Sequence, residues 1–239
     1  MSDFINTLLF GIYPYIALVV LVLGTIARYD REPYTWKSGS SQLLRRKQLI
    51  WGSVLFHVGV LVIFFGHLIG LLTPIAVFDA LGVSHGAKQL LAIVAGGVAG
   101  FMAIVGATLL VHRRLFDARV RAASSTTDTL IIVLLWIQLA LGLLTIPVSL
   151  QHLDGREMVK FMTWAQGIFT FNGAASSYVA DASIIFKLHL TLGLTILLLF
   201  PFTRLVHMLS VPVRYMWRPG YQVVRERNHR AAQTRVPAE

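Results

Sequence analysis

The sequence predicts an all-α integral membrane protein of five transmembrane helices, and three observations carry that prediction. Of 239 residues, 56% are hydrophobic and only 13% are charged, a balance outside the range of ordinary soluble domains. Five apolar runs each reach the roughly 20 residues that a bilayer core requires. The basic residues behind the net charge of +10 fall between those runs and do not gather on a soluble face, which argues against a nucleic-acid partner and makes them reporters of topology. Mean hydropathy, at +0.68, agrees. The chain has no cysteine, so disulfides, cysteine-ligated iron–sulfur clusters and covalent haem attachment are all excluded.

The first run, about 4–27, carries Pro14, which predicts a kink because proline lacks an N–H and crowds the preceding turn. No basic segment precedes this run and no Ala-x-Ala-like site follows it, so a retained helix is expected in place of a signal peptide. The second run, 49–72, contains His57 and His67 together with Gly59, Gly66 and Gly70. The third, 89–112, follows Lys88 and holds Gly96, Gly97, Gly100 and Gly106. Small residues at these positions allow close approach of another helix or of a macrocycle. A fourth run covers 129–148.

The long connection 149–182 places Met158, Phe161, Met162, Trp164, Ala165 and Ile168 near helical spacing, with Arg156, Glu157, Lys160 and Gln166 between them. That pattern predicts a short helix in the interface plane, its apolar side toward lipid or toward the helix ends. The fifth run, 183–206, carries His189 and predicts a second kink at Pro201, with His207 at its end. Residues 1–219 thus form the five-helix domain, and 220–239 a basic cytoplasmic tail.

Orientation follows from the sides on which Lys and Arg lie. Arg28, Arg31, Lys37, Arg45, Arg46 and Lys47 follow the first run; Arg113, Arg114, Arg119 and Arg121 follow the third; Arg204, Arg214, Arg218, Arg225, Arg227, Arg230 and Arg235 follow the fifth. Only Lys88, Arg156, Lys160 and Lys187 remain for the opposite side. The positive-inside rule then expects the N-terminus outside, in the periplasm, and the C-terminus in the cytoplasm.

A histidine in hydrocarbon must find a partner for its ring nitrogens and is a functional-site candidate by default. With antiparallel second and fifth helices, His57 is expected to face His207 near the cytoplasmic side and His67 to face His189 near the outer side. Two haems, each held by one pair, would be closed to exogenous ligands and suited to electron transfer. The alternative is four core histidines bonded to backbone carbonyls. The spacings also conflict: ten residues from His57 to His67 rise about 15 Å, whereas eighteen from His189 to His207 rise about 27 Å in a continuous α-helix. His85, His112, His152 and His229 are expected to be solvated. Arg113, Arg114 and Arg204, at the inner boundary, could snorkel to headgroups or pair with haem propionates.

Ordered short motifs run through nearly the whole chain: Tyr13-Pro14-Tyr15, Arg28-Tyr29-Asp30, Tyr34-Thr35-Trp36, Phe56-His57, Gly66-His67, Leu72-Thr73-Pro74 and Arg113-Arg114-Leu115-Phe116. They continue as Leu143-Leu144-Thr145-Ile146-Pro147, Trp164-Ala165-Gln166, Leu188-His189-Leu190, Phe200-Pro201-Phe202, Arg204-Leu205 with His207, and Ser210-Val211-Pro212. In these the chain resembles the gamma subunit of membrane-bound respiratory nitrate reductase, a di-haem cytochrome b of the bacterial cytoplasmic membrane.

The resemblance implies two haem b groups, with His57 and His207 as axial ligands of the proximal one and His67 and His189 of the distal one. It implies a quinol site beside the distal haem at Lys88 and Gly66, oxidising ubiquinol or menaquinol. Electrons would pass to an iron–sulfur beta subunit and a molybdenum-cofactor alpha subunit that reduces nitrate, the heterotrimer being free to assemble further. The segment 75–87 departs most from the family pattern. Two other readings stand beside this one: a cytochrome b of another respiratory complex, such as a hydrogenase, formate dehydrogenase or heterodisulfide-reductase-like enzyme, or a haem-free membrane anchor or transporter. For Lys88 itself, an ordinary interfacial anchor is the competing reading.

Overall fold

The computed structural model describes residues 3–36 and 44–210, and every regular element among them is helical. Five helices are long and apolar enough to cross a membrane: Asp3–Arg31, Arg46–Leu72, His85–Phe116, Thr126–Leu150 and Ile184–Phe202. They are called the first to fifth helices below. The third and fourth begin before their apolar runs because polar caps lie outside the hydrocarbon-length core. Ser84 accepts the Ala87 N–H at 3.2 Å and Ser125 accepts the Asp128 N–H at 3.0 Å, each satisfying a donor that the first turn would leave orphaned. Much of the bundle's outward surface is apolar; Leu23, Val98 and Phe101 are each more than 60% exposed, as suits a surface whose solvent is lipid.

Neighbours in the bundle are second on third, third on fourth, fourth on fifth, and fifth on first. The second–third crossing is a backbone contact. A Cβ added at Gly59 would lie 2.5 Å from the Ala99 carbonyl oxygen, and one at Gly106 would collide with the Phe56 backbone nitrogen. By contrast, a Cβ at Gly66, Gly70 or Gly96 would meet nothing within 4 Å. The small residues therefore divide into those that seat a helix and those that border open space. Between the second and fifth helices there is no extended packing, although both lean on the third–fourth pair.

Both prolines act where expected, by different means. Pro14 follows a π-helical turn, Leu8–Ile12, whose wider ring accommodates the missing donor. The fifth helix departs from the continuous 183–206 span. Its α-helical part, Ile184–Leu199, gives way to a 3-10 turn, Phe200–Phe202, then to an extended Thr203 (φ −120°, ψ 178°) and a 3-10 segment, Arg204–Ser210. Pro201 can neither donate to the preceding turn nor fit against it, so the α-helix stops and the chain re-enters at a new angle.

The connection after the fourth helix contains the expected helix, Arg156–Phe169, entered through Gly155 at φ +84°, a conformation that favours glycine. Its apolar side turns onto the bundle end: Phe161, Met162, Trp164, Ala165 and Ile168 are all buried. Trp164 Nε1 donates to the Phe10 carbonyl at 2.9 Å, and the Gln166 amide donates to the Leu71 and Thr73 carbonyls at 3.0 Å each. The Gln166 bonds plug carbonyls at the end of the second helix, and the Trp164 bond ties the connection to the first. Nearby, Lys160 bridges Glu157 at 2.8 Å and Asp181 at 2.7 Å. The basic tail 220–239 lies outside the described residues.

Candidate functional site

Between the second and fifth helices the four histidines meet in two pairs. The ring centroids of His57 and His207 are 6.3 Å apart, and those of His67 and His189 are also 6.3 Å apart. A ligating imidazole nitrogen lies about 2 Å from its metal and ~1.1 Å from its own ring centre, so two rings facing across one metal ion should have centroids about 6 Å apart. Both gaps have the width of one hexacoordinate iron. The spacing conflict read from the sequence is resolved by the break after Leu199. Only the ten steps from His189 to Leu199 are α-helical; the remaining eight pass through two 3-10 segments and the extended Thr203, so the eighteen residues do not rise along one helix axis.

Ring orientation is fixed by the nitrogen that does not face the partner. His57 Nδ1 donates to the Ser53 carbonyl at 2.7 Å, His67 Nδ1 to the Ile63 carbonyl at 2.9 Å, and His207 Nδ1 to the Arg204 carbonyl. A carbonyl only accepts, so each Nδ1 carries the proton and each Nε2 keeps its lone pair for a metal. The carbonyl bonds that a packing histidine would make are thus the same bonds that orient a ligand. His189 differs. Its Nδ1 is buried and finds no partner among the described residues, and its ring lies against Gly142, where a Cβ would stand 3.0 Å from Cε1.

Among the described residues no third His, Cys, Asp or Glu joins either pair to make a metal cluster. Two protein ligands leave a bare ion under-coordinated but complete an iron whose other four positions belong to a macrocycle. The donor set, the gap width and the open space beside Gly66 and Gly70 all fit such a group. At the His207 end, Arg114 and Arg204 both approach one carboxylate, Asp128, at 3.6 and 3.8 Å, while Arg113 donates to the Leu44 carbonyl at 2.7 Å.

Lys88 is buried, not spread along an interface. Its Nζ donates to the Gly70 carbonyl at 3.1 Å and to Met162 Sδ at 2.9 Å, and it sits 3.4 Å from the centre of the Phe78 ring. A small pocket is lined by Lys88 with Phe78, His85, Met158 and Met162. Gly66 is not among its walls; Gly70, one turn later, joins the second helix to Lys88. The ammonium has one carbonyl, a thioether and a ring as partners, all weaker than a carboxylate, and so retains donor capacity.

Sequence reasoning did not assign Phe78, Gly70 or Gly142 to a site. Phe78 lies in a segment without periodicity, and Gly70 and Gly142 look like ordinary small residues in apolar helices. His112 and His152 are exposed, bonded to Gln48 and the Val148 carbonyl, whereas His85, expected to be solvated, is half-buried against the Lys88 pocket and bonded to Asp79; none of the three belongs to either pair. His229 lies outside the described residues.

Comparison with known proteins adds an independent line. A family model described as nitrate reductase gamma subunit matches residues 6–227. The respiratory nitrate reductase 1 gamma chain of Escherichia coli (strain K12) is 51% identical over 226 residues, covering 95% of this chain and 100% of that protein. The respiratory nitrate reductase 2 gamma chain of the same organism is 48% identical over 227 residues, with the same coverage. The nitrate reductase gamma chain of Bacillus subtilis (strain 168) is 38% identical over 223 residues, covering 92% of this chain and 98% of that one.

Proposed function

The chain belongs to the nitrate reductase gamma subunit family, and from that footing we propose that it is a di-haem cytochrome b that oxidises quinol for a nitrate-reducing complex. The observation that carries the proposal is the pair of histidine gaps, each 6.3 Å between ring centres and each bridging two helices that do not otherwise pack. His57 with His207 would hold the proximal haem b, and His67 with His189 the distal one. When bound, the two haems would supply one-electron acceptance and transfer along the membrane normal.

Lys88 is the residue best placed to act on substrate. Its Nζ would donate to a quinol oxygen and stabilise negative charge there as the hydroxyl proton leaves, exchanging its Met162 contact for the substrate. Gly66, with open space where a side chain would be, keeps the approach to His67 clear. His85 and Phe78 close the same pocket. The substrate class is a lipid-soluble quinol, ubiquinol or menaquinol.

By the positive-inside rule the His67 end lies on the periplasmic side of the bacterial cytoplasmic membrane and the His57 end faces the cytoplasm. Protons released outside and electrons delivered inside would then move charge across the membrane, worth about 2.3 kcal/mol per charge per 100 mV. The electrons leave for an iron–sulfur beta subunit and a molybdenum-cofactor alpha subunit. The test is the purified complex: a reduced-minus-oxidised b-type spectrum, a haem-to-chain ratio near two, and reduction by quinol under anaerobic conditions. A ratio well below two, or haem that quinol cannot reduce, overturns the proposal.

A further inference from the structure

His207 does not ride on a regular helix. It follows the break made by Pro201 and Thr203, where the α-helical hydrogen-bond ladder is not carried through. Proline removes one donor, and the extended Thr203 leaves the carbonyls around it without helical partners. In a membrane no water can reach such carbonyls, so something else in the protein must satisfy them.

The first helix does so, although it carries none of the four facing histidines. Arg28 Nη1 donates to the Pro201 carbonyl and to the Thr203 carbonyl, both at 2.7 Å. The rest of the guanidinium is anchored on its own side of the gap: Nε donates to Thr35 Oγ1 at 3.1 Å and Nη2 to the Thr35 carbonyl at 3.2 Å. One turn earlier on the same helix face, Gly24 receives the proline ring itself. A Cβ there would stand 2.8 Å from Pro201 Cγ, closer than real side-chain contacts allow. Within the break, Thr203 Oγ1 donates to the Phe200 carbonyl and accepts the Leu205 N–H, so the turn is tied at both faces.

We propose that Gly24 and Arg28 form a cradle on the first helix that positions His207, so that they set the ligand geometry of the proximal haem without touching it. Three residues separate the clamped Thr203 carbonyl from the ligand, and the Arg204 carbonyl that orients the His207 ring lies between them. A planar fork that spans two carbonyls on one side and Thr35 on the other has no lysine equivalent, because a lysine ammonium is a point donor on a flexible stem. Arg28 and Gly24 are positioning residues, and the inference rests on the reading of His207 as an iron ligand.

The test uses the whole complex and reads each haem separately, by redox-titrated absorption and by the low-spin ferric electron paramagnetic resonance signals. The signal lost in His207→Ala identifies the proximal haem in the wild type. Two resolved haem signals in the wild type, one of them lost in that control, show that the di-haem reading holds; without them it is that reading that fails. Given both, Arg28→Gln and Gly24→Ala should each shift or at least halve the proximal signal while the distal signal stays at wild-type intensity and position. Arg28→Lys should restore little of it. Thr35→Val, which leaves the carbonyl clamp but frees one anchor, should give a smaller shift of the same signal and decides the matter if Arg28→Gln fails to assemble. Proximal signals unchanged in Gly24→Ala and Thr35→Val, or both haems declining in parallel, would overturn the cradle.

Discussion

At the level of single residues, the chemistry rests on which nitrogen of each histidine is tied. Three Nδ1–H groups are spent on backbone carbonyls one turn or less away, which leaves the opposite nitrogen as the one that would meet iron under the proposed function. Lys88 adds a buried donor whose partners can be exchanged for a substrate oxygen. Lys88→Ala is therefore expected to lower quinol oxidation by roughly 100-fold, the scale of losing one charge-stabilising donor, while both haem spectra remain. Stopped-flow reduction by quinol measures it, and an unchanged rate would return Lys88 to a packing role. The four facing histidines were legible in the sequence because ionisable residues stand out in apolar runs. The surroundings of Lys88 were not, since Phe78 and the Gly70 carbonyl come to it through tertiary packing and leave no periodic signal.

Among the elements, the five runs were readable from hydropathy, and the interfacial helix from its alternation of apolar and charged residues. What hydropathy could not tell was where a helix stops being α-helical inside an apolar run. Pro201 signalled a bend, but the extended Thr203 and the 3-10 segment beyond it depend on Arg28, over 170 positions away. Glycine roles were equally hidden: Gly106 and Gly66 look alike in sequence and differ only in what lies opposite. Gly106→Ala should cost about 1–3 kcal/mol, because its Cβ would collide with the second helix backbone, whereas Gly96→Ala, at a position with nothing within 4 Å among the described residues, should leave thermal stability within about 0.5 kcal/mol of wild type. Thermal unfolding in detergent, followed by far-ultraviolet dichroism, separates the two.

The Lys160 bridge makes a pH prediction for the loop cluster that closes the bundle. Its hydrogen bond holds the Asp181 carboxyl below the usual carboxylate range, and Asp181 and then Glu157 hold the Lys160 ammonium above the usual lysine range. A depressed carboxyl contributes stability above its unfolded value, near pH 4, and loses it as acid passes through the lower folded value; the raised lysine contributes below about pH 10.4 and loses it above. Compared with Lys160→Gln, the wild type should hold a constant advantage across neutral pH that shrinks below about pH 4. Acid unfolding of both proteins measures the difference, and parallel curves down to the acid limit would contradict it.

Taken whole, the helices pack in the order first on fifth, fifth on fourth, fourth on third and third on second, and the second and fifth, which lack extended packing, approach each other through the facing histidines. The proposed sidedness rests on the distribution of Lys and Arg, and the absence of natural cysteine makes it measurable. Gly173→Cys, at an exposed position with open space around it, should react with a membrane-impermeant maleimide in spheroplasts, and Ala123→Cys should react only after the membrane is opened. The reverse pattern would invert the orientation. The central claim, that the second and fifth helices hold two irons by paired histidines, is tested most directly by haem quantitation in the four single histidine-to-alanine variants. His57→Ala and His207→Ala should each lose one and the same haem, and His67→Ala and His189→Ala the other; loss of different haems within a pair would contradict the account.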